Sequence, residues 1–311
     1  ILIARRPKPP RHFERIKTMA QVKIDIHQQI TDKFIAALEA GTRPWSKDWT
    51  GGRGFEMPLR VTGEAYQGIN VLLLWMASEE NGFSAPTFMT FQQAKKLGGM
   101  VRKGSKGTTV VFASAFEKEN DAGKIEKIPF LKKYTVFNIQ QIDGLPEKWD
   151  WTEADEIDTG ARPIVDIEAF FAATGATIHN DGINPCYKPG SDSIHMPTVQ
   201  HFKNAHEYYG TLAHELIHWT GAPSRLDRDK KYDTTAGRAL EELIAEIGSV
   251  FLSHHIGATP DFDNSAAYVA SWLKALKDDK RFIFRAASAA QKASNYALDC
   301  ASHDTHAIAA E

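Results

Sequence analysis

The sequence predicts an α+β protein in two parts, a small mixed N-terminal domain followed by a mainly helical C-terminal domain. Three observations carry this reading. At 311 residues the chain exceeds the usual size of one hydrophobic core. An acidic stretch without periodicity, "PEKWDWTEADEIDTGARP", interrupts it near the middle. Charge divides at the same place, since the formal net charge of −2 hides +7 over residues 1–150 and −9 over the remainder. The resulting boundaries are a flexible leader at 1–18, a first domain at 19–146, an acidic linker at 147–162 and a second domain at 163–311.

Taken in order, "VKIDIHQQITDKFIAALEAG" places Ile24, Ile26, Ile30, Phe34, Ile35 and Leu38 near helical spacing and stops at Gly41, which reads as an amphipathic helix. "TRPWSKDWTGGRGFEMPLRVTG" follows as a Gly/Pro/Trp-rich loop. Helices are predicted in "GINVLLLWMASEEN" and "TFQQAKKLGG". "TTVVFASAF" and "KKYTVFNIQQI" are β-branched and aromatic runs, so they read as antiparallel strands joined by the charged turn "EKENDAGKIEK". Beyond the linker, "IVDIEAFFAATG" reads as a helix, and "ATIHND" and "DSIHMP" as strands. Helices are predicted in "TVQHFKNAHEYYGTLAHELIHWTG" and, a long one, in "AGRALEELIAEIGSVFLSHHIG", and "NSAAYVASWLKALKDD" and "RFIFRAASAAQKASNYAL" finish the chain.

Composition excludes several classes of protein. Two cysteines, Cys186 and Cys300, make neither a disulfide framework nor a cysteine-ligated zinc site, and they point to a reducing compartment, the cytoplasm. No apolar run reaches the roughly 18 residues that span a bilayer, so no membrane partner is expected. The basic, Pro-containing start lacks the apolar core of a secretion signal, which makes Met19 the expected natural start.

In "TLAHELIHWTG", His214 and His218 are four residues apart, on one helix face, with Glu215 beside them. Zn²⁺ accepts such a pair, takes a third protein ligand and keeps one position open for water. "LEELIAEIG" supplies Glu242 and Glu246 on a helix with a strong apolar face, where carboxylates are costly unless paired or bound to a cation. Glu242 is the expected third ligand, and Glu246 the carboxylate receiving the free N–H of a ligating imidazole; the reverse order stays open. The pattern is similar to the gluzincin signature, with Glu246 where that family usually has Asp. Such a site suits peptide hydrolysis, with Glu215 as general base. The ligand set favours Zn²⁺ and tolerates Mn²⁺, Co²⁺ or Ni²⁺. A donor for the tetrahedral oxygen is also needed, and Tyr232, Tyr209, His195 and His179 are candidates. "DSIHMP" is a candidate edge strand for pairing with an extended peptide.

Residues 81–116 contain no Asp or Glu after Asn81 yet carry Lys95, Lys96, Arg102, Lys103 and Lys106 among glycines. Trp45 and Trp49 lie in the Gly-rich loop, and Tyr66 in "EAYQGIN". Cations mixed with aromatics on loops suit single-stranded nucleic acid, where bases stack on rings and the backbone follows a positive groove.

Across "PWSKDW", "YQGINVLLL", "TFQQAKKLGGMVRKGSKGTTVVF", "YTVFNIQQIDGLP", "YYGTLAHELIHWTG" and "LEELIAEIGSVFL", the chain resembles the ArdC antirestriction proteins of conjugative plasmids. The resemblance implies a single-stranded DNA-binding domain, a zincin-like metallopeptidase domain, and protection of plasmid DNA from host restriction during transfer. It places the metal on His214, His218 and an acid of "EELIAE", with Glu215 catalytic. An unidentified protein substrate is expected, with the host restriction system as one source. A DNA-coating protein with an idle or structural metal site, and a hydrolase of a non-peptide bond, are the alternatives.

Overall fold

Asp25 opens the first element by accepting from the backbone N–H groups of His27 and Gln28, and α1 (Ile26–Glu39) follows with Ile30, Phe34 and Leu38 buried, as its spacing predicts. The computed structural model describes residues 25–45, 57–119, 125–149, 164–228, 234–258 and 268–308. The predicted leader, most of the linker, Trp49 and Tyr232 lie outside the described residues.

In the N-terminal half, α2 (Ile69–Asn81) and the short α3 (Phe91–Lys96) accompany a four-stranded sheet of order β1-β2-β5-β4. Its strands are β1 (Leu59–Arg60), β2 (Thr87–Thr90), β4 (Thr108–Glu119) and β5 (Ile125–Asn138). The predicted hairpin is present but longer than expected: pairing runs unbroken from Thr108↔Val136 to Glu119↔Ile125, through much of the charged stretch that reads as a turn. β2 has no counterpart in the sequence reading, since its four residues are too few to show a period. β3 (Met100–Val101) pairs with β6 (Ile142–Asp143) in a separate two-stranded ribbon.

After the linker come α4 (Ile164–Ala173) and a three-stranded sheet of β7 (Thr177–His179), β8 (Cys186–Lys188) and β9 (Ser193–His195). Its order is β7-β9-β8, so β9, expected as an edge, is the central strand, and the unpredicted β8 is at the rim. Among the described residues four helices follow: α5 (Ala205–Trp219), α6 (Thr235–Ile256), α7 (Val269–Asp278) and α8 (Phe282–Ile308). α5 begins later than the periodicity predicts, because Asn204 caps it by accepting from Glu207 N–H. Ala286, Ala287, Ala290, Ala293 and Ala297 form a fully buried small-residue stripe on α8, which is the helix packed most extensively on α6.

The largest core runs through both halves. Trp45 is 1% exposed, its ring meeting Trp272 of α7 edge-on at 5.7 Å. α1 lies along α7: Thr31 Oγ1 donates to the Lys280 carbonyl at 2.7 Å, and Lys277 Nζ and Lys280 Nζ pair with Glu39 and Asp25 at 2.6 and 2.5 Å. Trp75 of α2 packs on Phe251 of α6 at 5.9 Å, and the N–H of Gly68 donates to Gln291 Oε1 at 3.1 Å. A smaller core of Ala85, Met89, Ala94, Ile139 and Ile142 belongs to the N-terminal half alone.

Where α5 and α6 cross, Gly248 lies against Ile217, and a Cβ at Gly248 would fall 3.0 Å from Ile217 Cγ2. The helices therefore approach so closely that a side chain at that position would crowd Ile217.

Candidate metal centre

α5 presents His214, Glu215 and His218 near its C-terminus, and α6 brings Glu242 across from them. His214 Nε2 and His218 Nε2 are 3.2 Å apart, and Glu242 Oε2 is 3.7 Å from the first and 3.8 Å from the second. A tetrahedral ion with bonds of about 2.0–2.1 Å holds its donors about 3.4 Å apart, so this triangle has the dimensions and the nitrogen/oxygen chemistry of a divalent metal site. His218 is buried, while His214 and Glu242 are half-buried and open toward the surface.

Electrostatics reinforce the cluster. Burial alone would lower the His218 pKa, but its hydrogen bond to Glu241 and the nearby Glu242 carboxylate win and raise it to about 10. Burial pushes the Glu242 carboxyl up, and the His214 and His218 imidazoles beside it outweigh that and hold the group well below the usual range.

The carboxylate behind the histidine is Glu241, not Glu246. His218 Nδ1 faces Glu241 Oε1 at 3.4 Å, and Arg228 holds Glu241 in a fork, Nε to Oε2 at 3.0 Å and Nη2 to Oε1 at 2.8 Å. The same guanidinium donates to the Ile217 carbonyl at 2.7 Å and Thr220 Oγ1 at 2.9 Å, tying the end of α5 to α6. Burial raises the Glu241 pKa, but His218 and Arg228 overcome it and leave the group below its ordinary 4.5. Because folding depresses this pKa, the stabilisation is complete above pH 4.5 and is lost as the pH falls through the folded value. Glu246 instead accepts from the Trp45 indole N–H at 3.2 Å and lies 4.0 Å from Arg43. That corrects the sequence expectation: one helical turn beyond Glu242, α6 faces the N-terminal segment rather than α5. Glu241→Gln is accordingly expected to weaken metal binding by about 10–100-fold, and Glu246→Gln to leave it nearly unchanged, in a chelator competition titration. Equal effects would reject this division of roles.

Glu215 is buried, and its Oε2 accepts the backbone N–H of Tyr187 on β8 at 2.7 Å. The rim strand of the small sheet thus runs beside the centre. Beyond it, the Tyr187 hydroxyl donates to Asp192 at 2.8 Å, and Arg225, whose guanidinium stacks 3.9 Å from the Trp219 ring centroid, pairs with the same Asp192.

Of the four candidate oxygen-polarising residues, Tyr209 is buried and gives its hydroxyl to Glu168 at 3.0 Å. His195 is tied to Asp181 at 2.7 Å, with the His179 ring against it at 4.9 Å. Tyr268, which no sequence pattern singles out, stacks on Trp272, and burial followed by the neighbouring Glu242 raises its hydroxyl pKa.

In the basic half, Lys95, Lys96, Lys103 and Lys106 are exposed, the first two ending α3 and the others flanking the turn before β4. Arg102 is exposed but engaged by Asp143 at 3.0 Å and by the Gln140 carbonyl. Two aromatic expectations are overturned. Trp45 is sealed in the core, and Tyr66 is only 7% exposed beneath Arg60, so neither offers a face to a base.

This geometry, two histidines and a carboxylate from crossing helices beside a rim strand, defines a zincin-like centre behind a mixed α/β unit. Residues 165–289 match the zincin-like metallopeptidase family, and residues 24–137 match the N-terminal domain of anti-restriction factor ArdC. The chain belongs to the ArdC antirestriction family. It is 50% identical to the antirestriction ArdC protein of plasmid R388 in its metal-free crystal structure, with a TM-score of 0.79 over 90% of this chain and 99% of that one. A Mn(II)-bound structure of that protein aligns with 49% identity and a TM-score of 0.77, over 89% of this chain and 98% of that one. A DNA primase TraC of Escherichia coli is 39% identical over 90% of this chain, which spans 28% of that protein's length. Among the described residues no helix is long and apolar enough to cross a membrane.

Proposed function

We propose that this chain is a divalent-metal peptidase joined to a single-stranded DNA-binding unit, and that it protects incoming plasmid DNA from host restriction in the recipient cytoplasm. The observation that carries the peptidase reading is the donor triangle of His214, His218 and Glu242 with Glu215 adjacent. Zn²⁺ is the expected ion, and Mn²⁺ fits the same donors, as the Mn(II)-bound relative supports. When bound, the ion would polarise the substrate carbonyl and acidify a water. Glu215, oriented by Tyr187 N–H, takes the water's proton and returns it to the leaving amine. Tyr268, whose hydroxyl pKa is raised by burial and by the neighbouring Glu242, is the proposed donor to the oxygen that becomes charged. β8, the rim strand, replaces β9 as the edge beside which an extended peptide would lie. A protein of the host restriction system is the proposed substrate.

One observation favours a second reading, in which DNA coating alone gives protection and the metal centre is idle: Glu215 is buried and already accepts a backbone hydrogen bond. Elemental analysis of wild type beside His214→Ala tests the premise that the peptidase reading needs. About one metal per chain in the wild type and none in the variant is expected; no metal in either after zinc is supplied would remove the centre from the function.

A further inference from the structure

A nearly dry guanidinium ties the rim strand to the end of α5. The Arg225 side chain is 9% exposed, and all three of its nitrogens donate. Nε gives to the Trp219 carbonyl at 2.6 Å, Nη1 to Asp192 Oδ2 at 3.0 Å, and Nη2 to Asp192 Oδ1 and, at 3.3 Å, to the Tyr187 hydroxyl. The fork on Asp192 is bidentate, the arrangement that fixes geometry as well as attraction. It also holds the Asp192 carboxyl below its usual range, so both partners carry charge. Asp192 lies in the turn between β8 and β9 with a φ of 49°, a left-handed backbone that a non-glycine residue keeps only where its surroundings hold it.

The hairpin needs such a hold. Three register pairs, Cys186↔His195 to Lys188↔Ser193, join β8 to β9, and so short a ribbon is marginal by itself. Tyr187, the middle residue of β8, belongs to the network and to the centre at once. Its hydroxyl donates to Asp192 at 2.8 Å and receives from Arg225, while its backbone N–H donates to Glu215 at 2.7 Å. A shift of the hairpin therefore moves the donor that orients Glu215. The other end of the network is fixed to the same helix, because the Trp219 carbonyl that Arg225 grips belongs to the residue after His218. Three residues beyond Arg225, Arg228 holds the Glu241 carboxylate behind His218. The segment after α5 thus sends one guanidinium to the ligand side of the centre and one to the base side.

We propose that Arg225 is a positioning residue for the reaction: through Asp192 and the Tyr187 hydroxyl it holds the rim strand so that the Tyr187 N–H keeps Glu215 aimed at the reacting water. This rests on the peptidase reading above and adds what holds the base in place. Arg225 touches neither the metal ligands nor the substrate, and acts through the hairpin alone.

The test uses Arg225→Lys, which keeps the charge and loses the fork, and Tyr187→Phe, which removes the hydroxyl and leaves the backbone N–H. Each zinc-loaded variant is compared with wild type in three measurements: kinetics on one fluorogenic peptide that the wild type cleaves, metal content, and hydrogen exchange at the Tyr187 amide. A misplacement of about 1 Å can cost about 10²-fold in rate. Arg225→Lys should accordingly lower kcat by at least about tenfold, leave KM within about threefold, keep about one metal per chain and speed exchange of the Tyr187 amide. Tyr187→Phe should move kcat and exchange in the same direction by less, and should Arg225→Lys not fold, the outcomes are read from Tyr187→Phe. A wild-type kcat, with or without faster exchange, overturns the proposal and leaves the peptidase reading standing. Metal lost in proportion to kcat also overturns it, since the hairpin would then hold the ligands rather than the base. A zinc-loaded wild type that cleaves no peptide of a mixed library overturns both.

Discussion

Glu215→Gln should lower peptide cleavage by about 10²–10⁴-fold while about one metal ion per chain stays bound. The amide keeps an acceptor for the Tyr187 N–H, so the enclosure that β8 and α5 form around the site should hold its place. What the substitution removes is the ability to take a proton from water at neutral pH. The measurement is cleavage of a mixed fluorogenic peptide library beside elemental analysis of the same preparations. Cleavage at the wild-type rate would take Glu215 out of the reaction. Restriction relief that survives the loss of cleavage would favour protection by DNA coating alone, because the variant leaves the exposed lysines of the N-terminal half untouched.

Trp45→Ala should destabilise the protein by about 3–5 kcal/mol, the usual range for emptying a buried aromatic site. The indole fills space against Trp272 and gives its N–H to a Glu246 that is only 4% exposed. Truncation would therefore leave a cavity and deprive a buried carboxylate of a donor, with the Arg43 guanidinium still 4.0 Å away. Denaturant titration should show a lower midpoint, and the loss should extend to probes on α6 and α7. A change under about 1 kcal/mol would mean that the 25–45 segment merely rests on the C-terminal helices.

The parts of the site legible in the sequence are those set by local geometry. His214, Glu215 and His218 share a helix turn, so their spacing alone places them together, and Glu242 follows from the cost of a carboxylate on an apolar helix. Glu241, which the sequence reading does not single out, stands where Glu246 is expected because α6 is met on different sides by α5 and by Trp45. The Trp45 contact joins residues 201 positions apart, which no periodicity records. Trp45 and Tyr66 mislead for a related reason: the glycines and charges around them look like a surface loop, while burial depends on helices from the far end of the chain. β2 and β8, four and three residues long, carry too little alternation to be read.

The contact between Gly248 and Ile217 acts as a caliper for the donor triangle. Ile217 precedes a ligating histidine directly and Gly248 follows Glu242 on the same helix, so the interval set by the missing side chain is transmitted to the bite of the site. Donor edges of 3.2–3.8 Å suit ions with short bonds to nitrogen and oxygen. Calcium, which draws six to eight oxygens at about 2.3–2.6 Å, would need this interval widened and the imidazoles moved aside. Donor spacing is thus set partly by a residue that offers no ligand atom of its own.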